Sequence, residues 1–144
     1  MITFIPVEDL LPIRNAVLRG GKLTLDECRF PGDELSGSLH LGFYKDGVLA
    51  SIATFHPQNF NGYDGQGYQL RGMATIEEFR GQGFGNLLLN FALAYLREKK
   101  ANYIWCNARK KALRFYLTKG FEIISDEFEV GTIGPHYVLY LKIQ

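Results

Sequence analysis

Six consecutive residues, Arg80-Gly81-Gln82-Gly83-Phe84-Gly85, have the types and spacing to grip an anion. They stand between a strand-like run, Tyr68 to Thr75, and a long apolar helical pattern that opens at Asn86. The first backbone N–H groups of a helix have no partner inside it, and the helix dipole favours negative charge at that end. Glycines let such a backbone curl towards a phosphate with no Cβ in the way. The chemistry this suggests is the holding of a phosphate-bearing cofactor. A tight strand–helix connection without a ligand is the alternative.

Two phosphate cradles do not match. The Walker pattern requires Lys-Ser/Thr after its last glycine, and Gly85 is followed by Asn86-Leu87. The dinucleotide fingerprint puts glycines at its first, third and sixth positions, and the sixth position counted from Gly81 is Asn86. The acidic residue that should follow about 20 residues later to hold a ribose is also missing. Cys28 and Cys106 are the only cysteines, without metal-ligand spacing, so no metal is expected.

The wider context is more specific. Arg80-x-x-Gly83-x-Gly85, after Leu70-Arg71-Gly72-Met73-Ala74-Thr75, resembles the acetyl-CoA signature of the GNAT-type N-acetyltransferases. Ala112-Leu113-Arg114-Phe115-Tyr116, followed by Lys119-Gly120-Phe121, resembles that family's last helix, an A-x-x-F-Y-x-x-x-G-F pattern. Both motifs stand in the family's order. The resemblance is specific from Tyr68 to Phe121 and looser before it. It implies an α/β (α+β mixed sheet) fold of the GNAT acyl-CoA N-acyltransferase type, mostly antiparallel, in one domain over residues 1–144. The fourth and fifth strands would run parallel and splay around acetyl-CoA, with helices on both faces. Transferred by motif, Met73, Ala74 and Thr75 would offer backbone groups to the pantetheine arm and thioester. Arg80, Gly81, Gln82, Gly83, Phe84, Gly85 and Asn86 would wrap the pyrophosphate with N–H groups, without needing the Arg80 side chain.

The implied reaction is direct acetyl transfer from acetyl-CoA to a primary amine of a small molecule or protein. A non-catalytic CoA-binding sensor on the same fold is the alternative. Holding both reactants in line would supply much of the rate. A strand N–H, that of Met73, would stabilise the oxyanion. Tyr116 stands where the family's helix tyrosine stands and is the candidate acid for the departing thiolate; a plain core residue beside Phe115 is the other reading. Its reference pKa of about 10 exceeds a thiol's roughly 8.5, so the transfer needs placement.

The base is unassigned. The strand offers Gln69 and Arg71 but no carboxylate, and Glu77 and Glu78 lie just past it, facing solvent. His56 is placed either as a proton relay or as a structural strand-end residue. Asn107 is expected to close the fifth strand and bond the pantetheine amides, or to serve as a turn residue. Many family members carry an asparagine seven residues before the helix tyrosine, where this chain has Arg109. Arg109, Lys110, Lys111 and Arg114 form a basic cluster, either a site for the 3′-phosphate or a solvated face. Asp26, Glu27, Asp33 and Glu34 sit in a polar stretch and would favour a cationic acceptor if they face it.

The elements that must position these groups follow from periodicity. A strand over Ile2–Ile5 precedes a helix over Glu8–Leu18 interrupted by Pro12 and ended by Gly20-Gly21. Lys22 to Ser38 reads as loop, with a short helix near Leu25. His40–Tyr44 and Val48–Phe55 flank Lys45-Asp46-Gly47 as a hairpin. With Tyr68–Thr75 they predict a meander. The helix from Asn86 to Lys99 is apolar around most of its circumference, so it should be well buried. Tyr103–Asn107 is a strand suited to parallel pairing through a crossover. A helix over Lys110–Lys119 and two closing strands, Phe121–Phe128 and Tyr137–Ile143, complete the chain.

Composition bounds the function class. The chain has 144 residues, 47% hydrophobic, with a formal net charge of +1. That balance gives no case for nucleic-acid or membrane-surface binding. No signal pattern or spanning stretch is visible, so a reduced, cytoplasmic protein is expected. A homodimer through the last strands is an open possibility.

Overall fold

The computed structural model describes residues 1–144. It divides into two compact units, Met1–Pro57 with Leu70–Tyr95, and Gln58–Gln69 with Leu96–Gln144.

The first unit opens with β1 (Ile2–Phe4), followed by helix α1 (Val7–Ile13). Glu8 and Asp9 lie in the first turn of α1, where the dipole favours them. Val7, Leu10, Leu11 and Arg14 are buried at i, i+3, i+4 and i+7, so an arginine occupies the fourth place of an apolar stripe. Pro12 lies in the second turn of α1, not the first, and the helix survives it. Proline withholds the N–H that would bond the Glu8 carbonyl, and the chain continues as a π-helical segment, Arg14–Leu18. The stripe packs with Ile5, Cys28, Ile52 and Ala74. Burying a leucine as completely as Leu10 contributes about 1.5–3 kcal/mol.

A 3-10 turn at Asp26–Cys28 is the short helix expected near Leu25. Strands β2 (Leu39–Lys45) and β3 (Val48–Pro57) form the expected antiparallel hairpin, closed by Lys45 opposite Val48 with Asp46 at φ 50°. The strand order in this unit is β1-β2-β3-β4, where β4 runs from Gly67 to Thr75. Helix α2 (Phe84–Glu98) starts two residues before the predicted position. Leu88, Leu89, Ala92 and Leu96 form its buried stripe. Leu87 is 42% exposed, so α2 is amphipathic rather than buried all round.

The second unit holds the start of β4 and β5 (Tyr103–Arg109), paired in parallel with Gly67, Tyr68 and Gln69 opposite Tyr103, Ile104 and Trp105. β5 therefore extends beyond Asn107, which lies within the strand opposite Val138. A 3-10 turn (Lys110–Ala112) leads into a short helix α3 (Leu113–Thr118), which replaces the single helix expected over Lys110–Lys119. The closing segment departs most from expectation. Phe121–Phe128 is not one strand: it splits into β6 (Glu122–Ile123) and the first residue of β7 (Phe128–Val130). Both pair antiparallel with β8 (Gly134–Lys142), which also pairs antiparallel with β5. Ser125 explains the break: its Oγ accepts the Val138 N–H at 2.8 Å in place of a backbone carbonyl. Tyr103, Trp105 and Val138 form the core here, flanked by Phe60, Tyr63 and Tyr140. The Tyr103 hydroxyl accepts the Phe60 N–H at 2.8 Å, and Trp105 Nε1–H donates to Gln58 O at 2.8 Å. The parallel β4–β5 pair among antiparallel ones gives the mixed sheet of the expected α+β class.

Candidate active site

The glycine turn is built as its residue types demand. Gly81 and Gly83 adopt φ 79° and 83°, a left-handed backbone that disfavours any other residue. Beyond each glycine and its two chain neighbours, no heavy atom lies within 4 Å of where a Cβ would stand at either. The space on that side of both glycines is open. Leu87 N–H makes the first bond of α2, to Gly83 O at 3.1 Å. The N–H groups from Gly83 to Asn86 precede that first bond and are the free donors of the helix start. Asn86 Oδ1 is buried and accepts no hydrogen bond from the chain. The Arg80 side chain turns back, Nε–H donating to Thr75 O at 3.4 Å, and so ties the turn to the end of β4. Backbone donors at a helix start are the kind of group that holds an anion.

Met73, Ala74 and Thr75 precede it on β4. Ala74 is buried, and Ser51 anchors the strand end, its hydroxyl 3.2 Å from Ala74 O and 2.8 Å from Thr75 Oγ1. Gly72 breaks the strand's alternation with φ 65°. A Cβ there would meet Phe30 Cε2 at 2.8 Å and Arg14 Nε at 3.2 Å, so only glycine lets these groups approach. A left-handed residue inside a strand re-aims its neighbours.

Beside that kink lies a buried polar network. Arg14 and Asp33 form a two-pronged ion pair, Nη1–Oδ2 at 2.7 Å and Nη2–Oδ1 at 3.2 Å, with side chains 1% and 2% exposed. Arg14 also donates to Cys28 O and Thr54 Oγ1. His40 Nε2–H donates to Asp33 O, which leaves Nδ1 to accept the Thr54 hydroxyl at 2.9 Å. His56 Nε2–H and Phe30 N–H complete the Asp33 carboxylate. These hydrogen bonds, those of His56 and Arg14 foremost, outweigh burial and hold the Asp33 carboxyl well below the usual range. Arg14 thus uses every N–H except Nε–H, which is buried without a partner.

Of the four loop acids, Asp33 alone is withdrawn from solvent, while Asp26, Glu27 and Glu34 are exposed. Asp33 is inside the protein, bonded to Arg14 and His56. Asp26 and Glu34 both pair with Arg29, at 2.9 and 3.3 Å, and Glu27 accepts the Thr24 N–H. His56 is buried against Asp33, the structural one of its two readings. Glu77 and Glu78 are exposed in a 3-10 turn, as expected. Sequence reasoning missed Arg14, Phe30 and Gly72. A charged residue in phase with an apolar helical stripe was the available signal for Arg14.

Two named residues belong to the second unit. Asn107 is exposed on β5. Tyr116 sits on α3 between Phe115 and Phe121, edge-to-face to both, with ring centroids 5.1 and 5.3 Å away. Burial raises its hydroxyl pKa, so it is protonated at neutral pH. Its backbone carbonyl takes the Lys119 and Phe121 N–H groups, and Gly120 at φ 94° closes the helix. This is the structural reason for the glycine in that motif. The Cys106 thiol is pushed up to about 12 by burial and is unreactive at neutral pH. Arg109, Lys110 and Lys111, with Ile133 and Pro135, line an open pocket of about 310 Å³, and Lys110 and Lys111 are exposed. Lys110 is bound to Glu127 at 3.1 Å. Among all the helices, none is long and apolar enough to cross a membrane.

Comparison with known proteins places this geometry. The chain is 38% identical over 141 residues to the uncharacterized N-acetyltransferase YitI of Bacillus subtilis (strain 168), covering 97% of this chain and 94% of that one. It superposes on a putative N-acetyltransferase from Lactobacillus plantarum with a TM-score of 0.81 at 16% identity, covering 100% and 98% of the two chains. An aminoglycoside 6'-N-acetyltransferase complexed with coenzyme A matches with a TM-score of 0.73 at 14% identity, over 100% and 97%. Residues 15–121 match the model of the acetyltransferase (GNAT) family, and the chain belongs to that family of acyltransferases.

Proposed function

We propose that the protein transfers the acetyl group of acetyl-CoA to a primary amine, and that residues 1–144 act as one N-acetyltransferase domain. The observation that carries the donor assignment is the left-handed turn at Gly81 and Gly83 opening into the free N–H groups of α2. Acetyl-CoA supplies an activated acyl thioester. The backbone from Arg80 to Asn86 holds its pyrophosphate, and Met73, Ala74 and Thr75 orient the pantetheine arm. The Met73 N–H is the donor for the developing oxyanion. Asn107 is assigned to the pantetheine amides. Tyr116 is assigned as the acid for the leaving thiolate on the helix motif alone; burial raises its pKa further above that of a thiol, so the transfer depends on placement.

A thermal-shift series with acetyl-CoA, CoA and NAD tests the donor, and thiol release across an amine panel tests the transfer. At 100 times Kd, ligand linkage adds about 2.7 kcal/mol, a rise of roughly 5–10 °C in Tm for a chain of this size. The expected result is a shift with acetyl-CoA and CoA alone, and amine-dependent thiol release. A flat response to both CoA species at saturating concentration refutes the reading.

A further inference from the structure

We propose that Arg71, laid against Phe30, recognises a carboxylate on the acceptor, and that the acceptor is an α-amino acid. The proposal rests on the acetyltransferase reading above. The Arg71 guanidinium carbon is 4.2 Å from the centroid of the Phe30 ring, and that of Arg14 is 3.9 Å from the same centroid. Arg14 has nearly all of its donors engaged. Arg71 is half-buried, and the ring of Phe30 is its only contact of a polar or aromatic kind. Its five N–H donors are therefore free, in a planar fork whose shape matches a carboxylate.

The surrounding charge points the same way. Arg14 and Arg19 repel the Arg71 cation, and Asp33 alone attracts it. Asp33 is already bonded to Arg14, His56 and the Phe30 N–H. Desolvation and the Arg14 charge both lower the Arg71 pKa, so the guanidinium is held where a counter-charge is missing. A polycationic acceptor would meet three guanidiniums and one spent carboxylate. An anion would supply what the cluster lacks.

Distance narrows the class. Arg71 precedes Met73 by two residues, so their backbones stand at most about 7 Å apart at the roughly 3.3 Å per residue of an extended strand, and closer where Gly72 kinks it. An arginine side chain spans that length. An α-amino acid carries its amine and carboxylate on one carbon, so a carboxylate on Arg71 keeps the amine within reach of the acyl group at Met73. Phe30 holds the guanidinium at 4.2 Å from its ring centroid, and Gly72 is what allows Phe30 so close to β4.

The test uses the whole protein and a panel of α-amino acids, each paired with its α-carboxamide. Thiol release gives kcat and KM, and calorimetry gives the Kd of CoA. In the wild type, the acids that react should exceed their amides about 10- to 100-fold in kcat/KM, carried by KM, as for a charge-assisted hydrogen bond. In Arg71→Gln the acid-to-amide ratio should fall to near one, with the Kd of CoA within twofold of wild type. Arg71→Lys, which keeps the charge but not the fork, should restore part of the ratio. The inference is overturned if amides match acids in the wild type, if the preference survives in Arg71→Gln, or if the loss falls on CoA. Binding of CoA without turnover of any acid overturns it while leaving acetyl transfer to other amines standing. No binding of CoA overturns the acetyltransferase reading itself.

Discussion

Replacing Asp33 by asparagine should be among the most damaging conservative changes in the first unit. The carboxylate oxygens accept four hydrogen bonds: Oδ2 from Arg14 Nη1 and Phe30 N, Oδ1 from Arg14 Nη2 and His56 Nε2. An asparagine must turn its NH₂ towards one of these pairs, setting donor against donors. It also leaves the Arg14 charge, 1% exposed, without a counter-ion. Breaking a buried pair by removing one partner costs about 3–5 kcal/mol. With a urea m-value of about 2 kcal/mol/M, the midpoint should fall by roughly 1.5–2.5 M. Urea unfolding followed by circular dichroism at pH 7 measures this directly.

The pH dependence supplies an independent check. The Asp33 pKa is depressed in the folded protein, below its ordinary value of 3.8. The stability it contributes is therefore fully present above that value and is lost as pH falls towards the folded-state pKa. The wild type should lose stability steeply below about pH 4, and Asp33→Asn should show a shallower acid limb. A midpoint shift under about 0.5 M, or an acid limb identical in both proteins, would falsify the claim that this pair organises the unit.

Two further changes address the donor and the acid. Gly83→Ala forces a Cβ onto a residue at φ 83°, costing about 1–2 kcal/mol and roughly 3–8 °C in Tm, and places a methyl in the cradle; calorimetry should show at least about a tenfold weaker Kd for CoA, and an unchanged Kd would remove the turn from the donor site. Tyr116→Phe should lower kcat about 100-fold or more with KM for acetyl-CoA within about twofold, the signature of a lost general acid; unchanged turnover in steady-state assays would leave Tyr116 as a packing residue between Phe115 and Phe121.

Much of the scaffold was legible because it follows from local rules. Asp46-Gly47 specified its hairpin, and the polar residues around Gly81 and Gly83 marked the turn before α2. What the sequence did not reveal depends on partners distant along the chain. Asp33 reads as one more loop acid until Arg14, 19 residues away, is seen on it. Arg14 was hidden in a helix segment by the expectation that the fourth place of a stripe is apolar. Gly72 looked like an ordinary member of a strand motif, and its left-handed φ has meaning only with Phe30 beside it. The closing strands failed for a related reason. Phe121 to Phe128 has the apolar content of a strand, but Ser125 takes over a ladder acceptor's role and divides it.

The lack of a carboxylate among the β4 side chains Gln69, Arg71, Met73 and Thr75 bears on which amine can react there. A lysine-type ammonium, with a pKa near 10.4, is free in about one molecule per thousand at pH 7.4; an α-amine with a pKa of 7.7–8.0 is free in roughly a quarter. A peptide-type α-amine, with no carboxylate beside it, therefore removes on the order of a hundredfold of the demand on a base. In a free amino acid the adjacent carboxylate holds the ammonium in its charged form, and pairing that carboxylate with Arg71 would release it. The same physics makes the comparison with carboxamides a severe one. An α-carboxamide has no such charge, so more of its amine is already free in solution, and reactivity alone would favour the amide. A preference for the acid has to overcome that advantage through recognition, and the fork of Arg71 on Phe30 has the donors to supply it.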